Sequence, residues 1–305
     1  VLDRLTALSP MTHVTATMLL NVLVGALFAG TVALIALRAH ALTRGGAIAA
    51  FAVGTLTYAS GTIGFTLVLL AFFVPSVILS RLGKARKREL VDIGKGGARD
   101  ALQVLANGGV ATVCAVAWAF THDLRLALAF VGAYAASTAD TWATEIGTLA
   151  RRPPRSILTF RPVSTGMSGG ITLPGTLAEA GGALWIGAVA LPAIMLAYVC
   201  GHIFPFAWPV VFAHWSRVVA LFAVVSVAGI IGGTVDSLLG ATLQELRHCD
   251  TCDRTCETDP HACGNPTTLI RGLPGVSNDA VNFVATLTGT VTAPLLYVAL
   301  LFALT

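Results

Sequence analysis

The chain predicts an all-α polytopic membrane protein, and three observations carry that prediction. Of its 305 residues, 55% are hydrophobic and only 11% charged, with a mean hydropathy of +0.80; soluble domains carry about 25% charged residues. Apolar runs of bilayer-crossing length, about 20 residues, recur at 14–37, 104–121, 124–142, 176–200, 218–243 and 280–304. Lys and Arg gather in a few of the connections between them. Length alone admits two domains, but no polar linker divides the chain, so 1–305 reads as a single transmembrane domain.

The first run is too long for a signal h-region and no A-x-A-type site follows it, so a cleavable signal peptide is not expected. Segment 45–80 is longer than one span and is interrupted by Gly61 and Gly64, which reads as a helical hairpin returning to its own side. The basic clusters at Arg38/Arg44, 81–99, 151–161 and 247–271 then share one face, which the positive-inside rule makes cytoplasmic. A single crossing by 45–80 would divide those clusters between two faces. The expected architecture is therefore about six transmembrane helices plus a helical hairpin, with both termini non-cytoplasmic, in the plasma (inner) membrane. The run "RLGKARKR" (81–88) reads as a topology signal that also attracts anionic headgroups.

Polar residues inside the apolar runs come next. Asp236 lies within "GIIGGTVDSLLGATLQ" (229–244), roughly 10 Å from the inner end of its helix at 1.5 Å per residue. Asp140, Glu179 and Asp279 fall at a similar depth on the same face. Helical spacing groups Ser137, Asp140, Thr141 and Thr144 in one stripe, and Gly229, Gly232/Gly233, Asp236 and Gly240 in a second. Asn278, Asp279, Asn282 and Thr286 form a third; Arg99, Gln103 and Asn107 form a fourth. Glycine faces mean close helix packing, whereas intramembrane carboxylates read as functional. Asp279 fits equally a favourable charge at its helix N-terminus. Glu145 lies well around the helix from Asp140 and would share a ligand with it only if the helix bends.

Several carboxylates at one depth require a cation, and all-oxygen donors suit Mg²⁺. Lys95, Arg99 and Arg161 on that face would meet anionic oxygens. The stretch "RPVSTGMSGG" (161–170), with Gly166, Gly169 and Gly170, offers backbone N–H groups for a phosphate. Within a Cys/His-rich loop at 245–275, "HCDTCDRTCETDPHACG" (248–264) places Cys249, Cys252, His261 and Cys263 at a spacing able to hold Zn²⁺. The alternatives are a disulfide, disfavoured on a reducing face, and solvated thiols with no fixed partner. Cys114 and Cys200 read as packing.

Five stretches resemble an integral-membrane family that contains the phytyl-phosphate kinase of tocopherol synthesis. They are "GGARDALQVLANGG" (96–109), "STADTWATEIG" (137–147), "RPVSTGMSGGITLPGTLAE" (161–179), "GGTVDSLLGATLQ" (232–244) and "NDAVNFVATLTG" (278–289), in the family's order. Arg161 stands where the family often has Lys, and Cys256 is an addition to the simpler cysteine pattern of relatives. The family is related to membrane CTP-dependent lipid kinases and cytidylyltransferases. The resemblance implies a transferase of isoprenoid lipid metabolism, phosphorylating a prenyl (phytyl or geranylgeranyl) monophosphate with CTP or another nucleoside triphosphate at the cytoplasmic membrane face.

For that chemistry Asp140 and Asp236 are expected to hold Mg²⁺, with Glu145 or Asp279 as further ligands. Lys95 and Arg99 would contact phosphates, Asn278 and Asn282 would bond nucleotide or phosphate oxygens, and the glycine loop would close over them. The expected partners are the prenyl monophosphate, the nucleotide and membrane lipid, and not nucleic acid; a homodimer is left open. A lipid-phosphate cytidylyltransferase uses the same residue types. A transporter would bring its carboxylates to the midplane on broken helices, and a mere scaffold would not need converging carboxylates.

Overall fold

The computed structural model describes residues 10–83, 97–199 and 215–304. Among these, seven helices follow in order: α1 (Pro10–Arg38), α2 (Arg44–Arg81), α3 (Ala101–Thr121), α4 (Leu124–Gly147), α5 (Leu173–Val199), α6 (Trp215–Thr242) and α7 (Asn278–Leu304). Between α4 and α5 lie β1 (Arg155–Ser156) and β2 (Gly170–Ile171), an antiparallel pair. Between α6 and α7 lie β3 (Leu246–Cys249), β4 (Arg254–Cys256) and β5 (Thr268–Arg271), an antiparallel sheet in the order β4-β3-β5.

Helix ends are set by local chemistry. α3 starts at Ala101, ahead of the expected 104, because Asp100 and Gln103 form a reciprocal capping box, which satisfies two otherwise orphaned donors. α4 passes the expected end at 142 and runs to Gly147, carrying Glu145 onto the same helix as Asp140.

The 38-residue α2 would be about 57 Å long if straight. Yet the Arg81 guanidinium at its end donates to Ala39 O, just before its start, at 2.9 Å. The chain therefore reverses, and it does so at Thr62, whose backbone leaves the helical region (φ 47, ψ −139). That residue sits between the two glycines that interrupt the sequence. A Cβ on Gly61 would collide with the Phe65 side chain, so the turn needs a bare backbone there. Phe65 anchors the tip by stacking on Phe130 at 4.2 Å and leaning on Trp118 at 4.9 Å. The hairpin is thus a re-entrant element.

α4 is the hub, packing against α2, α3, α5, α6 and α7. Every residue from Ala127 to Ala139 is buried. Among the described residues, six helices are long and apolar enough to cross a membrane by length and composition, the hairpin counted among them, and α4 is not one of them. A helix enclosed by other helices needs small side chains rather than greasy ones, and α4 supplies mostly alanine there. Lipid-facing apolar residues lie instead on the outer helices, Leu27, Phe120 and Phe302 among the most exposed.

Close backbone approach holds the hub. A Cβ on Gly132 of α4 would strike Gly289 O of α7, and the reverse. On α6, a Cβ on Gly229 would come within 2.8 Å of Ala183 and 2.9 Å of Ala135, and one on Gly232 would overlap Ala136. The glycine stripe is a packing device, as its spacing suggests.

Contacts between connections gather them on one face. Thr43 N–H donates to Arg99 O and Arg99 N–H to Ala41 O, both at 3.0 Å. Gly83 abuts Leu149, and Gly169 abuts Ala241. Arg271 donates to Gly240 O at 2.9 Å. Both ends of the hairpin, the 148–172 connection and the 243–277 connection therefore share a face, while α1 begins and α7 ends on the other.

Candidate functional site

A cavity of about 270 Å³ opens at that face. α4 brings Asp140 and Glu145 to it, α5 brings Glu179, and α6 brings Asp236. Asp140 and Asp236 interact directly, side chain to side chain. The amide of Asn282 on α7, turned to present its NH₂, donates to Asp236 Oδ2 at 3.0 Å and to Asn278 O at 3.3 Å. Glu179, almost fully buried, accepts from Thr234 Oγ1 at 3.1 Å. It has room because residue 233 is glycine: a Cβ there would lie 2.7 Å from Glu179 Oε1.

The wall next to α3 carries Arg99, Gln103 and Asn107. Arg99 lies over the Phe72 ring at 5.9 Å; burial draws its basicity down and the Glu145 carboxylate opposes that. Asn107 Nδ2 donates to Gln103 O at 2.9 Å. Ser137 does not face the cavity: its hydroxyl bonds Asn107 O at 2.9 Å and Thr286 Oγ1 at 3.1 Å, joining α3, α4 and α7.

The glycine-rich loop forms the lid-side wall, with Gly166, Gly169 and Gly170 all lining the cavity. Gly166 (φ +89) and Gly169 (φ +78) take conformations that favour glycine. Several of its amides are already engaged, Val163 N–H on Pro154 O at 2.9 Å, Met167 N–H on Ser164 O at 3.1 Å and Gly170 N–H on Met167 O at 3.0 Å among them, so the cradle is narrower than the whole stretch. Arg271 fastens the loop to the end of α6 through Gly240 O and, at 3.4 Å, Ser168 O.

One wall escaped the sequence reading. Glu257, just past β4, lines the cavity; it accepts from Gln244 Nε2 at 2.7 Å and is hydrogen-bonded by the Ser168 hydroxyl. Burial pushes its carboxyl up to about 7. Gln244 stood inside a quoted motif, but Glu257 sits in an irregular loop where no periodicity reports depth.

Among the expected site residues, Asp140, Asp236, Arg99, Glu145, Asn278 and Asn282 converge on this cavity with the three glycines. Asp279 does not line it and is buried in the first turn of α7: one step along a helix from Asn278 turns the side chain about 100° away. Arg161 is exposed and also stands outside the lining. Lys95 and Cys200 lie outside the described residues.

Five carboxylates (Asp140, Glu145, Glu179, Asp236 and Glu257) thus face a single described cation, Arg99, across the lining. Such a set of oxygens is unfavourable without added positive charge and matches a hard divalent ion such as Mg²⁺. Beside this cavity is a narrow apolar slot of about 70 Å³ between α1, α2 and α3, and Arg99, Gln103 and Asn107 line both.

On the neighbouring connection, Cys249, Cys252, His261 and Cys263 place their ligand atoms within 4.8 Å of one another. Cys263 carries a lowered pKa of about 6, chiefly through His261. Cys256 points elsewhere, toward Thr258 O at 3.5 Å.

Two relatives share this chain over most of its length. Protein PGR of Arabidopsis thaliana is 32% identical over 275 residues, covering 83% of this chain and 89% of its own. An uncharacterised membrane protein of Methanocaldococcus jannaschii is 26% identical over 288 residues, covering 92% and 97%. The chloroplastic protein VTE6 of Arabidopsis thaliana is 32% identical over a shorter stretch of 146 residues, 45% of this chain and 43% of its own. No solved structure matches. Residues 27–290 match the family described as integral membrane protein DUF92, and the chain belongs to that family.

Proposed function

We propose that the chain is a Mg²⁺-dependent kinase that phosphorylates a prenyl monophosphate to the diphosphate, with CTP or another nucleoside triphosphate as donor. The observation that carries this reading is the wall shared by the carboxylate cavity and the apolar slot. A phosphate head held by Arg99, Gln103 and Asn107 would have the slot directly behind it for the chain, and the polar cavity before it for a triphosphate.

An oxygen of the lipid phosphate attacks the terminal phosphorus of the nucleotide. The bond from that phosphorus to the bridging oxygen breaks, and the nucleoside diphosphate leaves. The attacking monoester is already ionised near neutral pH, so the chain supplies position and charge rather than a strong base. Asp140 and Asp236 would hold Mg²⁺, with Glu145 and Glu179 within the same wall. The ion would neutralise the transferred group's charge. Asn282 orients Asp236, and the glycine loop covers the phosphates.

The face bearing the cavity carries Arg38, Arg44, Arg81, Arg99, Arg151, Arg152, Arg155 and the arginines of the 243–277 connection, whereas the described part of the other face has Arg125 and Arg217. That bias supports a cytoplasmic site in the plasma membrane, where a soluble nucleotide meets a lipid.

The test uses purified full chain in detergent with geranylgeranyl or phytyl monophosphate, Mg²⁺ and γ-labelled CTP. Label in a lipid diphosphate, with Ala50→Phe in the slot raising KM for the lipid and leaving KM for the nucleotide, is the expected result. Cytidine appearing in the lipid product, or no transfer across several nucleotides and chains by folded protein, overturns it.

A further inference from the structure

We propose that Cys249, Cys252, His261 and Cys263 bind one Zn²⁺ as a closed structural centre whose work is to hold Glu257 in the cavity wall. The four donors come from separate places: Cys249 ends β3, Cys252 lies in the turn before β4, and His261 with Cys263 lies between β4 and β5. Connectivity keeps Cys249 near Cys252 and His261 near Cys263 but does not oblige the two pairs to meet, yet all four ligand atoms lie within 4.8 Å of one another. Cys249 Sγ is 3.6 Å from Cys263 Sγ, and His261 Nδ1 is 3.1 Å from Cys263 Sγ. Tetrahedral zinc with Zn–S near 2.3 Å spaces its sulfurs about 3.8 Å apart, so the set is close to the required size. Bonded sulfurs would instead stand about 2.05 Å apart.

The surroundings agree with a metal. His261 turns Nδ1 into the cluster, 3.1 Å from Cys263 Sγ and 3.4 Å from the Cys263 backbone nitrogen. Asn265 Nδ2 donates to Cys263 Sγ at 3.3 Å, the kind of outer contact that steadies a ligating thiolate. Four protein donors leave no open position for a substrate, which makes the centre structural. The sheet also needs one. Its strands hold four, three and four residues, and Thr268, Leu269 and Ile270 of β5 are exposed, so it has little apolar interior of its own.

Glu257 lies between the two halves of the ligand set, after Cys252 and before His261. Metal on both flanks fixes the segment that delivers this carboxylate to Gln244 and Ser168. The centre stands independently of the chemistry assigned to the cavity.

The experiment measures metal content of the full chain, purified in detergent without chelator, beside Cys252→Ser and Cys256→Ser. One zinc per chain is expected for the parent and for Cys256→Ser, falling at least fivefold in Cys252→Ser. Replacement by Co²⁺ is expected to give the ligand-field bands of a tetrahedral thiolate site. Because Cys252→Ser could misfold, zinc is also stripped from the parent by a chelator and amide exchange followed. Faster exchange across 246–271, with α4 and α6 unchanged and recovery on adding zinc alone, supports the proposal. Parent protein with intact thiols and no zinc, equal zinc in both variants, or unchanged exchange at 254–258 overturns it.

Discussion

Asp140 on α4 and Asp236 on α6 face each other directly, and glycine makes the encounter possible: Gly232, one turn before Asp236, lets the α6 backbone lie on Ala136, one turn before Asp140. Packing and chemistry therefore share one helix interface. Two carboxylates pressed together are poor for stability and good for holding a divalent cation.

Asp236→Asn removes the repulsion between the pair. The metal-free protein should gain stability on the order of 1 kcal/mol, while the proposed kinase activity should fall at least about 100-fold, since even outer partners of a metal are worth 10–100-fold. Thermal unfolding with and without Mg²⁺ checks this. The parent should be stabilised by the ion and the variant should not; a destabilised variant that still responds to Mg²⁺ would remove Asp236 from the metal site.

Gly169 and Gly264 both have positive φ, +78 and +84, but a Cβ at Gly169 runs into the Ala241 backbone, whereas at Gly264 it meets nothing within 4 Å. Alanine at 264 should cost about 1 kcal/mol from backbone conformation alone. Alanine at 169 should cost roughly 2–3 kcal/mol and raise KM for the nucleotide by displacing the glycine loop. Equal effects in unfolding and kinetics would dismiss the loop's contact with α6 as a determinant of the site.

Glu257 gives a pH dependence with a definite sign. Its folded pKa, about 7, lies above the unfolded value, so the folded state binds the proton more tightly and stability falls as pH rises. Below about 4.5 both states are protonated and the effect is absent. Between about 4.5 and 7 the metal-free parent should lose on the order of 1–3 kcal/mol that Glu257→Gln does not lose. Parallel pH–stability curves for the two proteins would show that Glu257 is not the buried carboxylate described here.

Helix positions and the hairpin were legible because both are written in hydropathy and in the Gly61/Gly64 interruption. The convergence of Asp140, Asp236, Arg99 and Asn282 was legible because helical period and depth together restrict where a side chain can go. The same logic overreached at Asp279, where the stripe was drawn too wide: Asn278 and Asn282 lie on the cavity side and their neighbour does not. Glu257 and the clamping role of Arg271 were not legible. They enter from a loop and a short strand whose placement depends on long-range contacts with Ser168 and Gly240.

The enclosure of α4 bears on how the polypeptide enters the bilayer at all. A segment of alanines with Asp140 and Glu145 near its end, too weakly apolar to be counted with the six spanning helices, gains little by partitioning alone from the translocation channel into lipid. Only His122 and Asp123 separate it from α3, so the two are expected to leave the channel as a pair, α3 lending its hydrophobicity. The later arrival of α5, α6 and α7 would then replace lipid around α4 with protein. The cavity-bearing face would be completed only once α5, α6 and α7 have joined α3 and α4.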